Sequence, residues 1–338
     1  MKAIVLVGGF GTRLRPLTLS RPKQMLPVGS VTMLERVVSR LASHGVDTAV
    51  LSLGYQPDAF IEQFPDDICA GVKLVYAVEP EPLDTAGAIA FAARSAGVDE
   101  TFIALNGDVL SQIDLSALVA AHRDFGGSAT IALTQVDDPS RFGVVPIDDT
   151  GRVIEFVEKP EPGTAPSNWI NAGTYVLEPS VVEMIPKDQK VSIERQTFPA
   201  LAAAGELFAV QSDGYWIDAG TPEAYLQAQL DIIDGINGSG ESLVDATSVV
   251  AQDASVDRSA IGAGVVIEGG AQIVDSVIMA GSTIGAGSRI ERSIIGGGSL
   301  VAPNTRLSDL SVVGYGETLG VGIDAAGGIF PGPDDWNV

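Results

Sequence analysis

An α/β domain on a mixed, mostly parallel sheet, followed by a short parallel β-helix, is the fold that the sequence predicts, and three observations predict it. Over the first two-thirds of the 338 residues, short β-branched runs alternate with helix-like stretches. A Gly/Ser-rich stretch, Gly235-Ile-Asn-Gly-Ser-Gly240, then interrupts the alternation. Beyond it, aliphatic residues recur every five or six positions, a period foreign to helices and sandwiches.

The first region takes its strands from the runs 3–7, 48–53, 73–78 and 101–105, and its helices from 32–44, 85–96 and 115–125. Strand, helix and strand in this order give βαβ units, hence a Rossmann-like sheet with helices on both faces. A ligand then belongs at the carboxyl ends of the strands. In the second region the aliphatic positions are Val244, Val250, Val256, Ile261, Ile267, Ile273, Ile278, Ile284, Ile290, Ile295, Val301, Leu307 and Val313. Gly, Ala, Ser or Asn fill many of the turn positions between them, as in a left-handed parallel β-helix of hexapeptide repeats with about four triangular coils. The expected division is 1–234 for the first domain, 235–242 for a linker, 243–318 for the β-helix and 319–338 for a tail. Solenoids of this kind commonly serve packing and self-association, so a homo-oligomer through the β-helix is expected. Some solenoids use a histidine as the base in acyl transfer, but His44 and His122 both fall in the first region. Each is expected as an ordinary surface or helix-end residue.

Composition narrows the function. Lys and Arg number 20 against 43 Asp and Glu, for a net charge of −23, which excludes a general nucleic-acid surface. The imbalance is local, because residues 1–34 contain Lys2, Arg13, Arg15, Arg21 and Lys23 and no acid before Glu35. That stretch suits a small polyanion. A single cysteine, Cys69, rules out an internal disulfide framework, and the apolar run 3–7 is too short for a signal or membrane helix. A soluble, cytoplasmic chain with no membrane partner is expected.

The chemistry concentrates after the first strand, in Gly8-Gly9-Phe10-Gly11-Thr12-Arg13-Leu14-Arg15-Pro16-Leu17-Thr18 and then Pro22-Lys23-Gln24-Met25-Leu26-Pro27-Val28. Glycines past a strand end let main-chain N–H groups approach phosphate oxygens. The P-loop signature Gly-Lys-Ser/Thr is missing, and Leu14 stands where a dinucleotide fingerprint needs glycine. Arg13 and Lys23 supply a planar fork and a compact charge for those oxygens. Downstream, Leu105-Asn106-Gly107-Asp108 closes a strand with an acid, and Trp216-Ile217-Asp218-Ala219-Gly220-Thr221-Pro222 sets a second acid before a helix. Two carboxylates with oxygen donors suit Mg²⁺.

These motifs resemble those of the sugar-1-phosphate nucleotidylyltransferase family, also called the sugar-nucleotide pyrophosphorylases, over almost the whole chain. The resemblance implies a nucleotide site of Leu6, Gly8, Gly9, Gly11, Thr12, Arg13, Lys23, Glu79, Thr85, Ala86, Gly87, Asn106, Gly107 and Asp108. Catalysis would fall to Arg13, Lys23, Asp108 and Asp218, with Asp108 and Asp218 as the Mg²⁺ ligands. Glu158-Lys159-Pro160 and Asn171-Ala172-Gly173 resemble the family's sugar-phosphate motifs. Gly143, Glu158, Lys159, Asn171 and Asp218 would thus hold the sugar-1-phosphate, with Gly143 offering bare backbone to the sugar.

The run from Glu79 to Ala88 is most similar to that of the guanylyl-transferring members, as are the runs 107–111 and 191–199. GTP and mannose-1-phosphate are therefore the favoured substrates, with thymidylyl, uridylyl or adenylyl transfer to glucose-1-phosphate as the alternative. Glu79 could accept hydrogen bonds from guanine, or be a solvated loop residue. Asp84 replaces the family's usual glycine, which leaves the backbone of this loop open. A reading of another class is a non-catalytic sensor of sugar nucleotides, set against the retention of Arg13, Lys23, Asp108, Lys159 and Asp218.

Overall fold

The computed structural model describes residues 1–54, 57–238 and 240–336, so that residue 239 of the expected linker and the last two residues of the expected tail lie outside the described residues. The chain divides into two compact units, one of residues 1–9 and 34–216, the other of residues 10–33 and 217–338. In this division the glycine-rich segment after residue 9 falls with the carboxyl-terminal part of the chain.

The first unit is built on a ten-stranded sheet. Its centre is parallel, in the order Phe102–Asn106, Lys2–Leu6, Thr48–Leu53, Val72–Val78. These strands are near-continuous apolar runs because both faces are covered: Ala3, Ile4, Val5, Val50, Leu51 and Ala104 are fully buried. The helices Met33–Ser43, Asp84–Ser95 and Leu115–Phe125 match the expected ones within a residue or two. The last is closed by an Asp114 side chain accepting from Ala117 N–H at 2.9 Å and by Gly126 at φ 66°. On the other side of Phe102–Asn106 the sheet turns antiparallel, with Trp169–Leu177 against it and Ala129–Gln135 beyond. His122 stands in the last turn of Leu115–Phe125, a helix-end residue as expected but 2% exposed, and it is bonded to Thr130 Oγ1 at 2.8 Å and Glu178 Oε1 at 3.0 Å.

In the second unit the repeats form three parallel sheets of five strands, and hence five coils where four are expected. Ile261, Ile267, Ile273, Ile278, Ile284, Ile290, Ile295, Val301, Leu307 and Val313 fill the axis, whereas Val244 and Val250 of the first coil remain exposed. Buried serines stack one coil apart: Ser276 N–H donates to Ser259 Oγ at 3.0 Å and Ser293 N–H to Ser276 Oγ at 3.1 Å. Each hydroxyl so satisfies a main-chain group that the corner would otherwise orphan. The strands continue through Asp324–Ala326 and Ile329–Phe330, so residues expected as tail from 319 supply the fifth coil. Its inward positions are Leu319, Phe330 and the small Ala325, the last too small to register in an aliphatic count. Among the described residues no helix is long and apolar enough to cross a membrane.

Candidate active site

The parallel strands Lys2–Leu6 and Phe102–Asn106 end side by side, Leu6 opposite Asn106, so the segments after them leave the sheet at one edge. After the first strand comes Gly8, where a Cβ would meet the main-chain nitrogen of Gly54 at 3.0 Å. A Cβ on Gly54 would meet the Gly8 carbonyl oxygen at 2.8 Å. Two bare backbones pass here, and a side chain on either would force them apart. Gly54 stands outside the predicted set; its one sequence signal is a glycine directly after a strand. Gly9 follows, exposed.

After the second strand, Gly107 N–H donates to Leu6 O at 2.9 Å, and a Cβ on Gly107 would strike Val7 Cγ1 at 2.8 Å. This tuck turns the chain and places Asp108, half-buried, just beyond the edge. The Asn106 amide lies against Gly173, where a Cβ would sit 2.6 Å from Nδ2.

The run 79–88 is tied more firmly than the sequence suggests. Glu79 is 7% exposed, with Oε1 accepting from Ser52 Oγ at 3.0 Å and Oε2 from Leu83 N–H at 2.9 Å. It is an internal strut of the loop and not a solvated residue. Asp84 adopts the left-handed conformation at φ 61°, which costs a non-glycine residue roughly 1–2 kcal/mol, least for Asp and Asn with their short polar side chains. Its Oδ1 accepts from Thr85 N–H at 2.7 Å. The left-handed turn therefore survives the replacement of glycine. Thr85 Oγ1 donates to Glu194 Oε2 and accepts from Ile193 N–H, both at 2.8 Å. Ala86 and Gly87, expected on the nucleotide, give their N–H groups to Val191 O at 2.9 and 3.1 Å. They instead clamp the loop to the run 191–199.

The sugar-phosphate candidates gather on the antiparallel side. The register of Trp169–Leu177 against Ala129–Gln135 shifts between Asn171 and Tyr175. Asn171 fixes that irregularity: its Oδ1 accepts from Gly173 N–H and its Nδ2 donates to the Tyr175 hydroxyl, both at 2.9 Å. One Nδ2 hydrogen is left for another acceptor. Gly143 pairs with Glu158, but the space where its Cβ would lie is filled, 2.5 Å from Phe156 Cζ and 3.1 Å from Glu158 Oε2. Packing of the Phe156 ring, and not bare backbone for a sugar, is what requires glycine there. Lys159 Nζ lies 3.4 Å from Glu158 Oε1, the lysine 59% exposed and the glutamate 18%. A pair this exposed adds little stability. Trp216, unassigned in the sequence, donates from Nε1 to Ala172 O at 2.9 Å and meets the Phe142 ring edge-on at 5.6 Å. This aromatic wall borders the Asn171–Gly173 bend.

The second unit holds the cationic segment. Leu14, Leu17, Leu26 and Val28 are fully buried and anchor it. Gly11, at φ 61°, starts the short turn Thr12–Leu14, accepts from Thr18 Oγ1 at 2.7 Å, and would carry a Cβ 3.3 Å from that of Lys23. The fold-back brings the turns of Arg13 and Lys23 to one place. Arg13 lies over Gly220, where a Cβ would be 2.7 Å from its Nη2, and stands 3.8 Å from Asp218 Oδ2. Asp218 Oδ1 accepts from Gly220 N–H at 2.9 Å, which fixes the carboxylate. The acid-free stretch is thereby sorted. Lys2, in the first unit, donates to Gly97 O at 2.8 Å behind the helix Asp84–Ser95. In the second unit, the Arg15 guanidinium lies 5.6 Å from the Trp336 ring and that of Arg21 3.6 Å from the Tyr315 ring. Each unit carries one of the two candidate metal carboxylates, Asp108 in the first and Asp218 in the second.

Residues 2–235 match the family described as nucleotidyl transferase, and residues 238–323 match the GMPPB C-terminal domain. The chain is 41% identical over 275 residues to a mannose-1-phosphate guanylyltransferase of Mycobacterium tuberculosis, covering 78% of this chain and 76% of the relative. It is 40% identical over 272 residues to mannose-1-phosphate guanylyltransferase 1 of Arabidopsis thaliana, covering 79% and 74%. Among solved structures it is similar to HddC from Yersinia pseudotuberculosis complexed with GMP-PN, with a TM-score of 0.57 and 31% identity over 68% of this chain and 97% of that one. A putative glucose-1-phosphate thymidylyltransferase from Bacillus anthracis superposes with a TM-score of 0.62 at 26% identity, over 68% and 94%.

Proposed function

The chain belongs to the nucleotidyl transferase family, and from that premise we propose that it transfers a guanylyl group from GTP to mannose-1-phosphate, forming GDP-mannose and releasing pyrophosphate. The observation that carries the reading is the glycine-held fold-back in which Arg13, 62% exposed, stands beside Asp218 in the same unit as Lys23. A phosphate monoester is already an anionic nucleophile, so no Ser-His or Cys-His apparatus is needed. An oxygen of the sugar-1-phosphate attacks the α-phosphorus in line; that P–O bond forms as the α–β bridging bond breaks, and pyrophosphate departs with the electron pair. Two anions must be brought together, so positioning and charge neutralisation dominate the catalysis.

In this proposal Arg13 holds the departing pyrophosphate end, Lys23 contacts the phosphates around the reacting centre, and Gly8, Gly9 and Gly11 give their backbone to the triphosphate. Lys159 holds the sugar phosphate, and Glu158 and Asn171 the sugar hydroxyls. Asp108 and Asp218 would hold Mg²⁺. Both are hard oxygen ligands, the kind that ion prefers, and water and phosphate oxygens would complete its shell. When bound, it neutralises charge on the phosphates. A cytoplasmic setting, with residues 1–234 as the catalytic part, completes the reading. Self-association falls to the first coil, where the edge strand Val249–Val250 is unpaired on one side and Val249 is 61% exposed. Light scattering is expected to give a mass above that of the single chain.

Pyrophosphate release measured with mannose-1-phosphate and each of five triphosphates tests the specificity: GTP is expected to give the highest kcat/KM, and preference for another base would overturn the guanylyl assignment. Lys159→Ala is expected to raise KM for the sugar phosphate by about tenfold or more, corresponding to a charged hydrogen bond of about 1.5–3 kcal/mol. KM for the triphosphate should hardly move.

A further inference from the structure

Two of the arginines in the phosphate-binding segment face the β-helix of their own unit. Tyr315 sits at a corner of the fourth coil, its ring over Gly297 of the coil before, where a Cβ would lie 2.9 Å from the tyrosine Cε1. On that ring rests Arg21, 3.6 Å from the centroid. Burial pushes the Tyr315 hydroxyl up to about 12, so the ring stays neutral and keeps its attraction for a cation. Next to it Gly314 has no side chain because a Cβ would meet Pro16 Cβ, Phe330 O and Pro331 Cδ, each at 3.3 Å. The chain then turns at Pro331 and returns Trp336, whose Nε1 donates to Pro331 O at 3.0 Å and whose ring lies 5.6 Å from the Arg15 guanidinium. The Nε atoms of Arg15 and Arg21 are buried without a hydrogen-bond partner. Ring contact is thus part of what holds both guanidiniums, and the Tyr315 hydroxyl also interacts with Arg21.

Resting on the guanylyltransferase reading, we infer that Tyr315 and Trp336 are positioning residues for the triphosphate. They hold Arg21 and Arg15, and through them the backbone that presents Arg13 and Lys23. The last coils of the β-helix are then part of the apparatus that binds GTP, and not only a stalk for association. Arg15 is two residues from Arg13, and Arg21 two from Lys23, so a loosened ring contact is felt directly at both phosphate-binding cations. Of the residues assigned to the sugar phosphate, Glu158, Lys159 and Asn171 belong to the other unit and Asp218 to this one.

Steady-state kinetics of the full-length chain, with GTP and mannose-1-phosphate varied in turn, test this for Tyr315→Ala, Tyr315→Phe and Trp336→Ala. Tyr315→Ala is expected to lower kcat/KM for GTP about tenfold or more while KM for mannose-1-phosphate stays within about twofold; Tyr315→Phe, which keeps the ring and loses only the hydroxyl's contact with Arg21, should recover most of the loss. Trp336→Ala, at the end of the chain and outside the coils, should move the GTP parameters in the same direction by a smaller factor. Wild-type kinetics in both alanine variants would overturn the inference. So would an equal loss towards both substrates, or a Tyr315→Phe variant as impaired as Tyr315→Ala. An inactive wild-type chain would instead count against the guanylyltransferase reading itself, so the two failures are distinguishable.

Discussion

Asp108→Asn is expected to reduce turnover by about three orders of magnitude, matching the several kcal/mol that a metal ion supplies to a phosphoryl transition state. The substitution keeps the size of the side chain and alters its charge. The turn it sits on is held by the Gly107 N–H bond to Leu6 O and by the fit of Gly107 against Val7. The thermal melting curve should therefore remain close to wild type while steady-state pyrophosphate release falls. An Asp108→Asn chain that melts normally and turns over at the wild-type rate would remove Asp108 from the proposed metal site.

Arg13→Ala is expected to lower kcat/KM by about two to three orders of magnitude, as when one preorganised donor to a developing oxyanion is lost. The guanidinium is mostly exposed, lies over Gly220 and stands 3.8 Å from Asp218, so its removal leaves no cavity in the core. The loss should appear with every sugar phosphate tested, because the role assigned to Arg13 concerns pyrophosphate. Arg13→Lys should recover only part of it, since an ammonium cannot fork across two oxygens. If Arg13→Ala altered only KM for the sugar phosphate, the assignment would be reversed.

The parallel core of the sheet is legible because strands buried on both faces are continuous apolar runs: 48–53 is the observed strand Thr48–Leu53, and 3–7 differs from Lys2–Leu6 by one residue at each end. The antiparallel side is less so. Trp169–Leu177 carries Asn171 and Gly173 in mid-strand, and its shifted pairing is a long-range property that no local period reports. In the β-helix the hexad marks the axis wherever a large aliphatic fills it; Leu319 continues it, but Ala325 and Phe330 break the aliphatic run, and the fifth coil reads as tail.

The candidate site divides in the same way. Glycines at strand ends and a cation-rich segment are visible as letters, and Gly8, Gly107 and Gly11 each sit where a close approach or positive φ excludes a side chain. What each polar group is bonded to is not visible. Glu79 could equally face solvent or a base until Ser52 and Leu83 N–H are seen to hold it. Gly143 is required by the Phe156 ring, and five cations before residue 35 resolve into separate roles only when Tyr315 and Trp336, about three hundred residues later, come against two of them.

The most direct test follows the label from GTP carrying ³²P at the α or the γ position, incubated with mannose-1-phosphate, Mg²⁺ and the full-length chain. Attack at the α-phosphorus predicts that the α label appears in GDP-mannose and the γ label in pyrophosphate, in equal amounts. Transfer of the γ label to the sugar, or no transfer of either label, would contradict it.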